Sequence, residues 1–71
     1  MLKCARCYIN FAVLEEKILW RGELFHRRCL AKKIAAEKGG EKIIIKDKDL
    51  VPVYFQGAYN VYVYKYKNAP K

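Results

Sequence analysis

The spacing of cysteine and histidine constrains this 71-residue chain more than any other feature. Cys4 and Cys7 are separated by two residues, eighteen residues follow, and His26 and Cys29 are again separated by two. Two such pairs joined by a loop are typical of a tetrahedral zinc site, because each pair directs two donor atoms at one point. The chain contains no other cysteine or histidine. The sequence therefore predicts one zinc ion held by these four residues.

Two other interpretations of the cysteines fit less well. A redox Cys-x-x-Cys pair normally opens a helix after a strand in a βαβ scaffold much larger than this chain. A structural disulfide would use two of the three cysteines and leave the third unpaired. Four protein ligands also leave no coordination position open for a substrate or an activated water, so the predicted zinc ion is structural.

The short length of the chain agrees with a structural metal. A domain of this size buries little surface, and a metal commonly compensates for the small core. Chelated zinc contributes on the order of 10 kcal/mol to folding, as much as the net stability of a typical domain. We expect one small domain over residues 1–67, with an N-terminal half that unfolds without metal, and a frayed tail at residues 68–71.

The apolar pattern predicts an α+β fold in two parts. Residues 18–20 and 23–25 flank Arg21-Gly22 and favour a hairpin. Residues with high helix propensity extend from Arg27 to Lys38, and Gly39 is expected to end this helix. Residues 1–40 are thus expected to form the zinc finger with its helix, and Gly39-Gly40 the hinge to the second part.

The second part, residues 41–67, is predicted to form a short antiparallel sheet. Residues 43–45 form a β-branched run, residues 51–55 a second strand, and residues 61–67 a third strand after a turn. The third strand alternates strictly, which places Tyr62 and Tyr64 on one face together with Tyr66.

Residues 4–29 resemble the first zinc module of a LIM domain and, more broadly, a treble-clef finger. The matching features are the two ligand pairs, a spacer carrying Ile18 and Gly22, and the aromatic Phe25 directly before the histidine. The resemblance covers about a third of the chain, and the second zinc module of a LIM domain is absent because no cysteine follows Cys29. It implies the knuckle, hairpin and helix layout and the zinc role of the four ligands, and it suggests protein binding, which is typical of the family, only as an alternative function.

The charge of the chain favours a polyanionic partner. There are 15 Lys and Arg residues against 7 Asp and Glu residues, a formal net charge of +8. The predicted helix carries four cations within seven residues, and Arg6 in the knuckle adds a fifth. Presented by a metal-anchored helix, such cations suit contacts with phosphates or with a major groove. The alternative is that they only keep the protein in solution. The helical cations are Arg27, Arg28, Lys32 and Lys33.

The tyrosines of the last strand are a second candidate surface. Tyr62 and Tyr64 can stack on bases while Lys65 holds the phosphate backbone. Alternatively, the tyrosines cover the core of a small sheet and the lysines face water.

Catalysis is not expected, because no second histidine, no Ser or Thr and no unclaimed cysteine remains to act as nucleophile or base. The adjacent Glu15 and Glu16 point apart on an extended chain and do not form an acid pair. The chain also lacks an apolar run of about 20 residues and a signal-peptide layout, so a soluble intracellular protein is expected, with no membrane partner.

The sequence therefore predicts a zinc-finger protein that binds nucleic acid, with DNA favoured over RNA, as a regulatory or accessory factor. The main alternative is a protein-interaction module, LIM-like or forming a homodimer through an edge strand at residues 51–55 or 60–67. A third interpretation is a structural subunit of a ribonucleoprotein or virion, whose charge only neutralises nucleic acid.

Overall fold

The computed structural model describes residues 2–65 and shows one helix packed with a four-stranded mixed sheet. The predicted α+β class is confirmed. Tyr66, the end of the predicted last strand and the predicted tail lie outside the described residues. In chain order the elements are β1 (Lys17–Trp20), β2 (Glu23–Phe25), α1 (Arg27–Glu37), a 3-10 helix (Asp47–Asp49), β3 (Leu50–Pro52) and β4 (Val61–Tyr64).

The hairpin of β1 and β2 forms where the sequence predicts it. The strands are antiparallel, with Ile18 opposite Phe25. Arg21 and Gly22 join them with φ angles of 51° and 79°. Two successive positive φ angles are the requirement of a type I′ turn, which matches the twist of the strands it connects. This hairpin makes up the second half of the spacer between the two ligand pairs.

Helix α1 also agrees with the prediction. It ends at Glu37, and the Gly40 N–H returns to the Ala35 carbonyl at 2.8 Å. Gly39, at φ 78°, allows this reversal because glycine has no Cβ to oppose a positive φ. Leu30 and Ile34 are the buried residues of the helix. No helix within residues 2–65 combines the length and apolarity needed to cross a bilayer.

The C-terminal strands do not form a sheet of their own. β3 and β4 are antiparallel, as expected, but β4 also pairs in parallel with β1, with Ile18 opposite Tyr62. Parallel pairing needs a long crossover, which the segment containing α1 supplies. The strand predicted at residues 43–45 is wrong: this segment is irregular, and Ile45 is buried in the core instead.

Burial along β4 does not follow the strict alternation of its sequence. Val61 and Tyr64 are both buried although they project from opposite faces of the strand. Both faces of the sheet are therefore partly covered, since Ile18 and Phe25 are buried on one and Lys17 on the other. The buried residues are Cys4, Phe11, Lys17, Ile18, Leu24, Phe25, Leu30, Ile34, Ile45, Val61 and Tyr64.

The buried lysine at the start of β1 is a feature that the sequence analysis missed. Lys17 is 3% exposed. Its Nζ donates hydrogen bonds to the carbonyls of Val13 at 2.9 Å, Glu15 at 2.9 Å and Tyr59 at 2.8 Å. An ammonium group has three donors, so all three are used. The side chain thereby ties the loop before β1 to the turn before β4.

Candidate metal centre

The four residues of the two ligand pairs come together in the fold. The donor atoms of Cys4, Cys7, His26 and Cys29 all lie within 4.8 Å of one another. His26 Nδ1 is 3.4 Å from Cys7 Sγ and 3.9 Å from Cys29 Sγ. With Zn–S bonds of about 2.3 Å and Zn–N bonds of about 2.1 Å, tetrahedral donor atoms are about 3.5–3.8 Å apart. The donor set and its spacing therefore fit a metal ion.

The first ligand pair lies in a tight turn, the knuckle, which backbone hydrogen bonds hold in place. The Tyr8 N–H donates to the Cys4 carbonyl at 2.9 Å, and the Arg6 N–H points at Cys4 Sγ at 3.4 Å. The Ala5 N–H donates to the Leu24 carbonyl at 2.8 Å, which attaches the knuckle to β2. Cys4 is fully buried as a result.

The histidine is positioned by the helix and by a carboxylate. His26 precedes α1, and its carbonyl accepts the first helical hydrogen bond, from the Leu30 N–H at 2.9 Å. Its Nδ1 faces the sulfurs, while its Nε2 lies 3.4 Å from Glu15 Oε2. The other Glu15 oxygen accepts from the Ala12 N–H at 2.9 Å, and the Phe11 ring centre is 4.6 Å from that of the imidazole. A carboxylate on the second ring nitrogen is a common orienting contact of metal-binding histidine.

Sequence reasoning missed Glu15, for which it predicted no contact with a metal ligand. Glu15 is eleven residues from His26, and no spacing rule links the two. The neighbouring Glu16 contacts Arg27 instead. Each carboxylate therefore has a separate partner, although both line the same groove.

The thiols of the cluster differ in their acidity. Burial raises the pKa of Cys4, but hydrogen bonds from the backbones of Cys7, His26 and Arg6 outweigh it and lower the pKa to about 6. Burial, together with hydrogen bonds to Cys4 and Cys7, raises the pKa of Cys29 to about 11. Coordination by all three sulfurs requires thiolates, so metal binding releases protons and weakens as the pH falls.

Arg27 makes contacts within the protein. Its Nε and Nη2 donate to the two oxygens of Glu16 at 3.0 and 2.6 Å, and Nη2 also lies 2.7 Å from Asp47 Oδ1. Its Nη1 donates to the Ile45 carbonyl at 3.2 Å. The hydrogen bonds with Glu16 and Asp47 raise the pKa of Arg27 above its usual value. Of the cations predicted to bind nucleic acid, Arg27 thus serves to fasten the start of α1 to the segment before the 3-10 helix.

Three other cationic residues that the sequence predicts to bind nucleic acid line one groove between the knuckle and α1. We call it the knuckle–helix groove. Arg6 comes from the knuckle, and Lys32 and Lys33 come from the helix. The volume of the groove is about 440 Å³. Glu23 and Glu37 also line it, and Lys33 Nζ lies 3.8 Å from Glu37. The groove therefore holds three cations against two carboxylates.

The remaining predicted residues lie elsewhere. Arg28 is exposed and lines a different groove, together with Cys7. Tyr64 is only 7% exposed and Tyr62 is half-buried, so the core takes up the ring of Tyr64 and leaves it little surface for stacking on a base. Lys65 is exposed and lines a third groove, which shares no residue with the knuckle–helix groove.

Comparison with known proteins finds no match: no family model, no curated protein and no solved structure is similar to this chain. The resemblance of residues 4–29 to a LIM zinc module therefore rests on the ligand spacing and on the hairpin and helix that carry it.

Proposed function

We propose that the chain binds one structural zinc ion through Cys4, Cys7, His26 and Cys29, and that the helix anchored by this ion binds nucleic acid. Three thiolates and one imidazole are a donor set that favours zinc among the common divalent metals of proteins. The observation that carries the binding function is the convergence of Arg6, Lys32 and Lys33 on one groove, because these residues come from the two segments that the metal ligands hold together.

Metal binding and charge placement are linked by the positions of the ligands. Arg6 lies between Cys4 and Cys7, and α1 begins directly after His26 and contains Cys29. A metal ion that joins the two pairs therefore fixes the position of the arginine relative to the helical lysines. Cations held in a fixed arrangement bind phosphates with a smaller loss of side-chain entropy than cations on mobile segments.

Double-stranded DNA is the favoured partner. A short helix with cations on its exposed side suits the phosphates that border a major groove, and a net charge of +8 attracts any polyanion. Glu23 and Glu37 in the same groove oppose part of this attraction. Phosphate contacts rather than base contacts are thus expected to dominate, as in an accessory or regulatory DNA-binding factor.

A salt titration of the zinc-loaded protein with duplex DNA tests the proposal. Log affinity should fall with log salt concentration by about 0.9 for each phosphate contacted. Lys32→Gln should weaken binding and reduce this slope by about one, because it removes one phosphate contact. Lys3→Gln is the matched control, since Lys3 is also exposed but does not line the groove. No binding at about 50 mM salt, or a slope near zero, would contradict the proposal.

A protein-interaction function is the second candidate, and a group of exposed apolar side chains favours it. Tyr8, Ile9, Val13 and Leu14 follow the knuckle and are all exposed, Leu14 at 69%. Clustered exposed apolar side chains are typical of surfaces that bind other proteins. Leu14→Asp should then abolish self-association or partner binding, measured by analytical ultracentrifugation, while leaving the DNA titration unchanged.

Strand addition is restricted by the order of the sheet. β4 lies between β1 and β3, so the edge expected at residues 60–67 does not exist at Val61–Tyr64. β3 is an edge of the described sheet, but Pro52 has no N–H to donate to an added strand. A homodimer through an edge strand would therefore have to use the short strand β3 or β2.

A further inference from the structure

A second basic groove lies in the C-terminal part of the described chain, and we call it the lysine groove. Its volume is about 620 Å³, and it is lined by four lysines and a single carboxylate, that of Asp49. None of these lysine side chains forms an ion pair with another residue of the 2–65 range. The lysine groove is therefore more positive than the knuckle–helix groove. The lysines are Lys42, Lys46, Lys48 and Lys65.

Backbone hydrogen bonds fix most of these lysines relative to one another. The Lys65 N–H donates to the Asp49 carbonyl at 2.9 Å, and the Asp49 N–H donates to the Lys46 carbonyl at 2.9 Å. The Lys46 N–H lies 3.3 Å from Asp49 Oδ2, so the one carboxylate of the groove is partly occupied by a backbone donor. Lysines from the 3-10 helix, from the residue before it and from the residue after β4 thus form one surface.

Arg27 connects this surface to the metal-anchored helix. Its guanidinium group binds Asp47 Oδ1 at 2.7 Å and the Ile45 carbonyl at 3.2 Å. The contact offsets part of the charge of Asp47, the other carboxylate of the lysine-bearing segment, which shares the guanidinium group with Glu16. It also fixes the segment to the first turn of α1, which lies beside the metal ligands His26 and Cys29. The two basic grooves therefore hold a defined position relative to each other.

We propose that the lysine groove binds the phosphate backbone of the same DNA duplex as the knuckle–helix groove, an inference that rests on the function proposed above. Lysine ammonium groups bind phosphates as point charges without reading sequence. Two basic surfaces on one rigid body raise the affinity for a duplex that reaches both, because the second contact forms within the complex. The lysine groove thus extends the contact and adds affinity that does not depend on sequence.

The test compares two double variants at the same positions of the zinc-loaded protein. Lys46→Gln with Lys48→Gln removes two charges, while Lys46→Arg with Lys48→Arg keeps them. The glutamine variant should bind duplex DNA about tenfold more weakly at about 100 mM salt, with a salt slope smaller by about two. The arginine variant should keep the wild-type affinity and slope. Melting curves and zinc content of both variants establish that the fold is intact.

The possible results separate the two proposals. Suppose that the wild-type protein binds DNA, that Lys32→Gln weakens binding and that the glutamine double variant does not. The DNA-binding role of the lysine groove is then overturned, and the proposed function stands. If the glutamine double variant weakens binding and Lys32→Gln does not, the DNA-binding role of the lysine groove is supported and that of the helix is overturned. If the wild-type protein does not bind DNA at low salt, both proposals fall.

Discussion

Two polar clusters tie distant segments of this protein together, and they differ in what satisfies their polar atoms. In the metal centre, three sulfurs and one ring nitrogen face one another, and a cation from solution has to neutralise them. Around Lys17, three backbone carbonyls face one another, and the protein itself supplies the cation. The first cluster is therefore expected to make the fold depend on metal, whereas the second needs no ligand from solution.

The two clusters are neighbours and share residues. The Phe11 ring centre lies 4.6 Å from that of His26 and 5.8 Å from Lys17 Nζ. Glu15 contributes its carboxylate to His26 and its carbonyl to Lys17. A disturbance of one cluster is therefore expected to reach the other through Phe11 and Glu15.

Removal of the metal should give the largest effect. Zinc chelation contributes on the order of 10 kcal/mol to folding in small zinc domains, about the whole net stability of a domain. Because β1 pairs with β4, unfolding of the metal centre should spread to the C-terminal strands. We expect a chelator to abolish the sheet signal in circular dichroism together with the thermal transition. Stoichiometric zinc should restore both, and magnesium should not, because it prefers oxygen ligands.

If the protein treated with chelator keeps its circular dichroism spectrum and its melting temperature, the fold does not depend on metal. The internal contacts, including those of Lys17, would then be sufficient to hold the fold. Cys4→Ser, which removes the fully buried ligand, provides an independent version of the same test.

The second effect in size should come from Lys17. Lys17→Met keeps an unbranched apolar side chain but leaves the carbonyls of Val13, Glu15 and Tyr59 without their donor. We expect a loss of about 3 kcal/mol in the free energy of unfolding of the zinc-loaded protein, since hydrogen bonds to charged groups are worth about 1.5–3 kcal/mol each and water replaces some of them. This corresponds to a melting temperature lower by about 12–24 °C.

Lys42→Met is the matched control for this substitution. Lys42 is exposed, and its replacement should change the free energy of unfolding by less than about 0.5 kcal/mol. Equal melting temperatures for the two variants would show that the Lys17 contacts add nothing to the stability of the fold.

The two clusters also differ in how far the sequence predicts them. The metal centre is predictable because its ligand types are rare and their spacing within each pair is local. The hairpin is predictable because two apolar runs flank Arg21-Gly22, whose glycine favours a turn. The Lys17 cluster is not predictable, because its acceptors are backbone carbonyls that every residue carries. One of them, that of Tyr59, is 42 residues away.

Other differences between the predicted and the observed structure also arise from contacts between residues far apart in the chain. The run at residues 43–45 has the composition of a strand, but the parallel pairing of β4 with β1 occupies the sheet position, and Ile45 fills the core. Likewise, Arg27 belongs to a basic helix by sequence, but its partners Glu16 and Asp47 are 11 and 20 residues away. Local sequence patterns show which residues are charged or apolar. Tertiary contacts decide which of these residues remain exposed for binding a partner.

The third effect concerns the metal affinity rather than the fold. Glu15→Gln keeps the shape of the side chain but removes the negative charge beside His26 Nε2. We expect a zinc affinity about tenfold lower, at the small end of the range for such contacts, because the Glu15 side chain is partly solvated. Competition with a chromophoric chelator measures it. Glu16→Gln is the control, since Glu16 contacts Arg27 and not a metal ligand, and an equal loss of affinity in both variants would contradict the orienting role of Glu15.

The smallest effect should come from Arg27, and it distinguishes an internal contact from a binding residue. Arg27→Met removes the ion pairs with Glu16 and Asp47 and the hydrogen bond to the Ile45 carbonyl. These groups are partly exposed, so a loss of about 1 kcal/mol in the free energy of unfolding is expected. Arg28→Met, at the exposed neighbour, is the control and should leave stability unchanged. If Arg27→Met weakens DNA binding without a change in stability, Arg27 contacts the ligand directly, and the link between the helix and the lysine groove has to come from other residues.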